Sequence, residues 1–194
     1  MKSLHDFIVK PFNKRYNNTK KINNKELIIN SNIEHHQFVS KEALVVSTPA
    51  LYDGKIKKGD KVYVHHNLFR RWYDQKGNER NSSTYFINDL YFCSPQQIYM
   101  YNNSCHLNYC FVKPIREISG FKTSKEKEYF GVLKYSNKTL EAVGLKPGNL
   151  VIFTPNSEFE FIIEGERLYC MKSNDIALTN EYEGNEKEYN PSWA

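Results

Sequence analysis

Ala and Leu are sparse in this chain of 194 residues, while Asn and Lys abound. Ala and Leu are strong helix formers, so long helices are not expected. No run is apolar enough to cross a membrane as a helix. The opening MKSLHDFIVKPF has no hydrophobic leader core. Four cysteines stand at 93, 105, 110 and 170 without a CxxC pair. Cys93, Cys110 and Cys170 fall in strand-like runs, where buried thiols are common. A Cys105–Cys110 bridge stays open on spacing alone, and a reduced cytoplasmic setting is the expectation. G-x-S-x-G, H-E-x-x-H and a phosphate-cradling glycine loop are all absent. The chain is therefore expected not to be an enzyme and to need no cofactor or metal.

Strong charge of one sign is also missing. The balance of 27 basic and 22 acidic residues gives +5. Lys20-Lys21, Lys57-Lys58 and Arg70-Arg71 are separate pairs with acids between them. They read as solvated surface rather than a nucleic-acid track.

What is present is strand material. Hydrophobic residues make up 40% of the chain, enough for a core, and aromatics 14%. Tyr and Phe favour strands. Three landmarks occur twice in the same order. FIVKPF at 7–12 returns as CFVKPI at 110–115. IKKGDKVYV at 56–64 returns as LKPGNLVIF at 145–153. TYFINDLYFCSPQQIYMY at 84–101 returns as EFIIEGERLYCMKSNDIALT at 160–179. The offsets shrink from 112 − 9 = 103 to 145 − 56 = 89 to 168 − 90 = 78. The first copy is therefore longer in two places, and length changes belong in loops. Two similar modules follow, 1–103 and 104–180, joined near NNS at 102–104. A polar tail, 181–194, completes the chain; its Trp193 could dock elsewhere. Strand-rich modules of this size tend to close into small barrels, which removes exposed edges.

The ordered set resembles the GroES-type, ten-kilodalton co-chaperonins. It runs from the V-K-P opening strand through the hydrophobic-x-x-G-D/N turn and an aromatic hairpin to L-Y-x-M-x-x-x-D-I. The match is best over LKPGNLVIF and GERLYCMKSNDIAL and looser over FIVKPF, FVSKEALVVS, IKKGDKVYV and INDLYFCSPQQI. The resemblance implies an all-β protein of two tandem GroES-like barrels. It implies a homo-oligomeric ring that caps a GroEL-type chaperonin and assists ATP-dependent folding. Tandem versions exist in plastids, and some bacteriophages encode divergent ones. The Asn-, Lys-, Ile- and Tyr-rich composition suits an AT-rich genome, so a host cytoplasm is the expected location for a phage-encoded form.

The family's mobile loop follows its first strand, and residues 13–37 are expected to take that place. At its centre stand Leu27, Ile28 and Ile29, flanked by Glu26 and Asn30. A solvated loop seldom carries three adjacent large aliphatics, because burying each is worth ~1.5–3 kcal/mol. On the residues alone, Glu26–Asn30 could be a further barrel strand. On the resemblance, the triplet is the chaperonin-binding hook. The loop has no glycine near the triplet, which departs from the family. Between Ile115 and Tyr129 the second module has a shorter stretch with only Ile118 and Phe121 apolar. The roof hairpin is reduced in both copies.

His35-His36 and His65-His66 invite a metal reading, but adjacent strand residues point to opposite faces. Asp60 reads as a turn residue whose match, Asn149, keeps the hydrogen bond and loses the charge. NLFRRWYDQKGNER at 67–80 reads as a hairpin turned by DQKGN, with Trp72 and the arginines at a protein interface. Stacking on single-stranded nucleic acid is the weaker reading of it. A virion or other structural assembly protein built on the same barrel, and an oligonucleotide-binding barrel, are the alternatives to a co-chaperonin.

Overall fold

The computed structural model describes residues 3–23, 25–28, 31–117 and 126–180. Ile29, Asn30, Ile118, Phe121 and the whole segment 181–194, Trp193 included, lie outside the described residues. The protein is all-β, with one short helix among the described residues. It divides into two compact units, residues 1–102 and 103–194.

The first unit carries β1 (Phe7–Pro11), β2 (Thr19–Ile22), β3 (Lys25–Ile28), β4 (Glu42–Ser47) and β5 (Lys61–Val64). It continues with β6 (Arg71–Tyr73), β7 (Glu79–Asn81), β8 (Tyr85–Ile87), β9 (Leu90–Cys93) and β10 (Ile98–Tyr101). Its main sheet runs β8-β9-β1-β4-β5-β10, with the paired neighbours antiparallel. β2–β3 and β6–β7 are separate two-stranded hairpins. The strands form where β-branched and aromatic residues alternate between core and solvent: β4 buries Ala43 and Val45, and β9 buries Tyr91 and Cys93. Phe7, Val9, Val62, Val64, Leu68, Phe69 and Ile98 fill the same core.

The second unit carries β11 (Ser104–Cys105), β12 (Tyr109–Arg116), β13 (Glu126–Tyr135), α1 (Lys138–Ala142), β14 (Leu150–Phe153), β15 (Phe159–Ile163), β16 (Glu166–Lys172) and β17 (Ile176–Asn180). Its sheet runs β15-β16-β12-β13-β14-β17. Cys110, Val112, Leu133, Val151, Phe153 and Met171 form its core, closed over by Leu140 of α1. The buried side chain of Asn137 caps α1, accepting from the amides of Thr139 and Leu140 at 3.0 and 3.1 Å. All four cysteines are free.

Replace β1, β4, β5, β8, β9 and β10 by β12, β13, β14, β15, β16 and β17, and the two sheet orders coincide. The registers coincide too. Val9 faces Val45 and Tyr91, and Val112 faces Leu133 and Tyr169. A bulge falls after Ile8 in one sheet and after Phe111 in the other. The turn before β5 matches the turn before β14 bond for bond. Gly59 (φ +94°) and Gly148 (φ +98°) adopt the left-handed conformation that glycine tolerates. Their amides donate to the carbonyls of Val45 and Leu133, each at 2.8 Å. The Asp60 carboxylate accepts from the Lys57 amide, and Asn149 Oδ1 from the Lys146 amide, both at 2.7 Å. Ala43 and Gly131 occupy corresponding positions, facing Pro11 and Pro114. A Cβ on Gly131 would collide with the Val112 side chain and the Lys113 carbonyl.

Closure is where the sequence expectation and the structure part. Neither sheet order returns on itself among the described residues, so the sheets are open rather than closed barrels. One outer strand of the first sheet is short: β8 has three residues and meets β9 only at Tyr85↔Tyr91 and Ile87↔Leu90. A strand of that length has few backbone groups left to bridge to the far edge.

Candidate functional site

The connection between β1 and β4, residues 12–41, distinguishes the first unit, since only residues 117–125 join the corresponding β12 and β13. Its two legs pair. The Asn17 amide donates to the Phe38 carbonyl at 2.7 Å, and the Ser40 amide to the Arg15 carbonyl at 2.9 Å. Tyr16 is buried between them. Its hydroxyl donates to the Ile33 carbonyl and accepts from the Arg71 amide, both at 2.7 Å. The Arg71 guanidinium lies 4.7 Å over the Tyr16 ring. Arg15 donates to the Phe69 carbonyl at 2.6 Å and to Asn81 Oδ1 at 2.7 Å; burial lowers its pKa. Ile33 packs into the unit's core. These bonds, those of Arg15 charge-assisted, anchor the legs.

Beyond the legs stands the β2–β3 hairpin. Thr19 faces Ile28, Lys20 faces Leu27, and Ile22 faces Lys25. Glu26 pairs with Lys14 and accepts from the Thr19 hydroxyl at 2.6 Å, fastening the hairpin at its base. The sequence left two options for Leu27 and Ile28, loop or further strand of the main sheet. They lie in a strand, but one that pairs only with β2 and is exposed along its length. Leu27 is 49% exposed, Ile28 70% and Ile22 46%. Strand alternation turns Leu27 and Ile22 to one face and Ile28 to the other. The hairpin thus offers apolar surface on both faces, between lysines. Of the proposed contact residues, Glu26, Leu27 and Ile28 are brought together here, while Ile29 and Asn30 lie outside the described residues.

The return leg also brings His35 and His36 to His65 and His66. Ring centroids are 5.6 Å apart for His35–His36, 5.5 Å for His36–His66 and 4.3 Å for His65–His66. The strand argument for keeping each pair apart does not apply, because each pair opens a 3-10 turn, His36–Phe38 and His66–Leu68. Their convergence is a product of the fold that no spacing in the sequence signals. His65 Nδ1 accepts from the Asn67 amide at 3.1 Å, which places its proton on Nε2. Burial, then His65, Lys41, His36 and Arg70, lower the His66 pKa to about 3. His66 is therefore neutral near pH 7, and burial followed by Lys41 lowers the His65 pKa as well. No group of three or more His, Cys, Asp or Glu among the described residues is arranged to hold a metal ion.

The β6–β7 hairpin turns at Asp74–Asn78, where the Asp74 carboxylate accepts from the amides of Lys76 and Asn78 at 3.0 and 2.8 Å. Arg71 pairs with Glu79 at 2.7 Å and Arg80 with Asp74 at 2.9 Å. Trp72 is 45% exposed, and its indole Nε1 donates to the Asn81 carbonyl at 3.3 Å. The hairpin's tyrosine meets the first site: the Tyr73 amide donates to the Glu34 carboxylate at 3.0 Å.

No protein-family model matches the chain, and no curated protein matches its sequence.

Proposed function

We propose that this protein is a tandem, GroES-like co-chaperonin that docks on a GroEL-type chaperonin through the β2–β3 hairpin. The observation that carries this reading is the exposure of Ile22, Leu27 and Ile28 on a hairpin whose legs are anchored by Tyr16, Arg15 and Ile33. An apolar element held out on a fixed base can be buried against a partner's hydrophobic groove without unfolding the protein that bears it. One hairpin binds weakly, since association costs freedom that a small apolar contact offsets only in part. A ring of subunits turns weak contacts into avidity and lets them release together. The outer strands support self-assembly: β8 exposes Phe86 and Ile87, and β15 exposes Phe159 and Ile162. The working place is the cytoplasm, that of a host if a phage encodes the chain.

The test is capture of the protein by a bacterial chaperonin with and without ATP. The variant carrying Leu27→Ser, Ile28→Ser and Ile29→Ser should lose at least about tenfold in capture, as expected from removing apolar contacts worth ~1.5–3 kcal/mol each. Its circular dichroism should match the parent. Unfolding of the variant, or undiminished capture, sinks the docking role. Oligomers that ignore chaperonin would favour the structural assembly protein instead.

A further inference from the structure

Three arginines sit on or beside the β6–β7 hairpin, and two are neutralised by Glu79 and Asp74. Arg70 is not. Among the described residues its guanidinium has no hydrogen-bond or carboxylate partner, and its Nε is shielded from solvent. A sheltered donor with nothing to bond is costly to maintain. Arg70 lines a cleft of about 280 Å³ with Asn67, Trp72, Ser82 and Ser83. Ser82 is already committed, its hydroxyl donating to the Leu68 carbonyl at 2.7 Å. Ser83 and Asn67 are exposed. The indole of Trp72, tied at its Nε1, leaves nearly half its surface to solvent.

We propose that this cleft binds a single nucleoside phosphate, with the phosphate on Arg70, Ser83 and Asn67 and the base against Trp72. A guanidinium fork suits a phosphate better than a point charge does. A neighbouring indole adds a stacking surface for a base that a bare anion would leave idle. At about 280 Å³ the cleft lies just below the usual run of ligand sites, which starts at about 300 Å³. It therefore takes one base and one phosphate. A longer strand would need further phosphate contacts, and Arg71 and Arg80 are spent on their own carboxylates. This site does not depend on the co-chaperonin reading.

Adenosine 5′-monophosphate is the probe, titrated into the full chain by calorimetry and by tryptophan fluorescence in a Trp193→Phe background. Saturable binding is expected, with adenosine and inorganic phosphate each weaker by at least about tenfold, since each forfeits one of the two contacts. Arg70→Gln and Trp72→Leu should each weaken it by about tenfold, and Arg80→Gln should leave it unchanged. If Arg70→Gln fails to fold, Arg70→Lys carries the test, expected to lose several-fold through loss of the fork. Absence of saturation, equal binding of phosphate and nucleotide, or indifference to Arg70 and Trp72 overturns the proposal. So does much tighter, steeply salt-dependent binding of a short thymidylate strand, which would mean a strand site.

Discussion

At the residue scale, His65 and His66 couple stability to pH. The His66 imidazole titrates near 6.5 in the unfolded chain and near 3 when folded. The unfolded state therefore binds the proton first as the pH falls. A lowered histidine pKa costs nothing above about 6.5, and its penalty grows steadily from there toward about 3. His65 shifts the same way, through burial and Lys41. Chemical denaturation between pH 7 and pH 5, above most carboxylate titration, should show stability falling with pH. His66→Gln should flatten that slope; an unchanged slope would place the titration elsewhere. The histidine cluster marks a limit of sequence reading. His35-His36 and His65-His66 are visible as pairs, but their meeting depends on how residues 12–41 fold back, and no local pattern encodes that.

Elements were far more legible. All-β character followed from aromatic and β-branched runs broken by Gly, Asn and Asp, because those side chains and turn residues constrain the backbone locally. The Asp60 and Asn149 turns show how far this goes: one hydrogen-bonding geometry is served by two side chains with different charge. Asp60→Asn should therefore change the urea midpoint little, within about 0.5 kcal/mol. Asp60→Ala should lose about 1 kcal/mol, the usual worth of such a bond. A large loss in Asp60→Asn would mean that its contact with Asn102 Nδ2, at 3.0 Å, depends on the charge. What the residues did not convey was sheet closure, which depends on whether distant edges meet. Nor did they convey that the polar segment around Leu27 pairs with its own neighbour, since KELI and TKKI are short and weakly patterned.

At the scale of the whole molecule, one sheet plan is built twice with unequal ornament. The second unit manages the β1–β4 type of connection with a short link, so the plan does not require the β2–β3 hairpin. Removing residues 18–30 and joining the paired legs with a short Gly-Ser turn should leave the melting temperature within a few degrees, because β3 is exposed along its described length and Ile22 is 46% exposed. Chaperonin capture should vanish in the same protein. A collapse in melting temperature would mean that the hairpin belongs to the core.

The doubled register has a consequence for the nascent chain. The first strand of each half, β1 or β12, finds in the other half a rival whose first bulge and central pairing already fit. Repeats of this kind invite cross-pairing while the polypeptide is still leaving the ribosome. The two halves differ where such a swap would be felt. Lys10 lies in solvent, whereas its counterpart Lys113 is buried and reaches Glu166 at 3.4 Å. Exchanging the strands would strand that buried ammonium without its acid, a penalty that steers each half to its own partners.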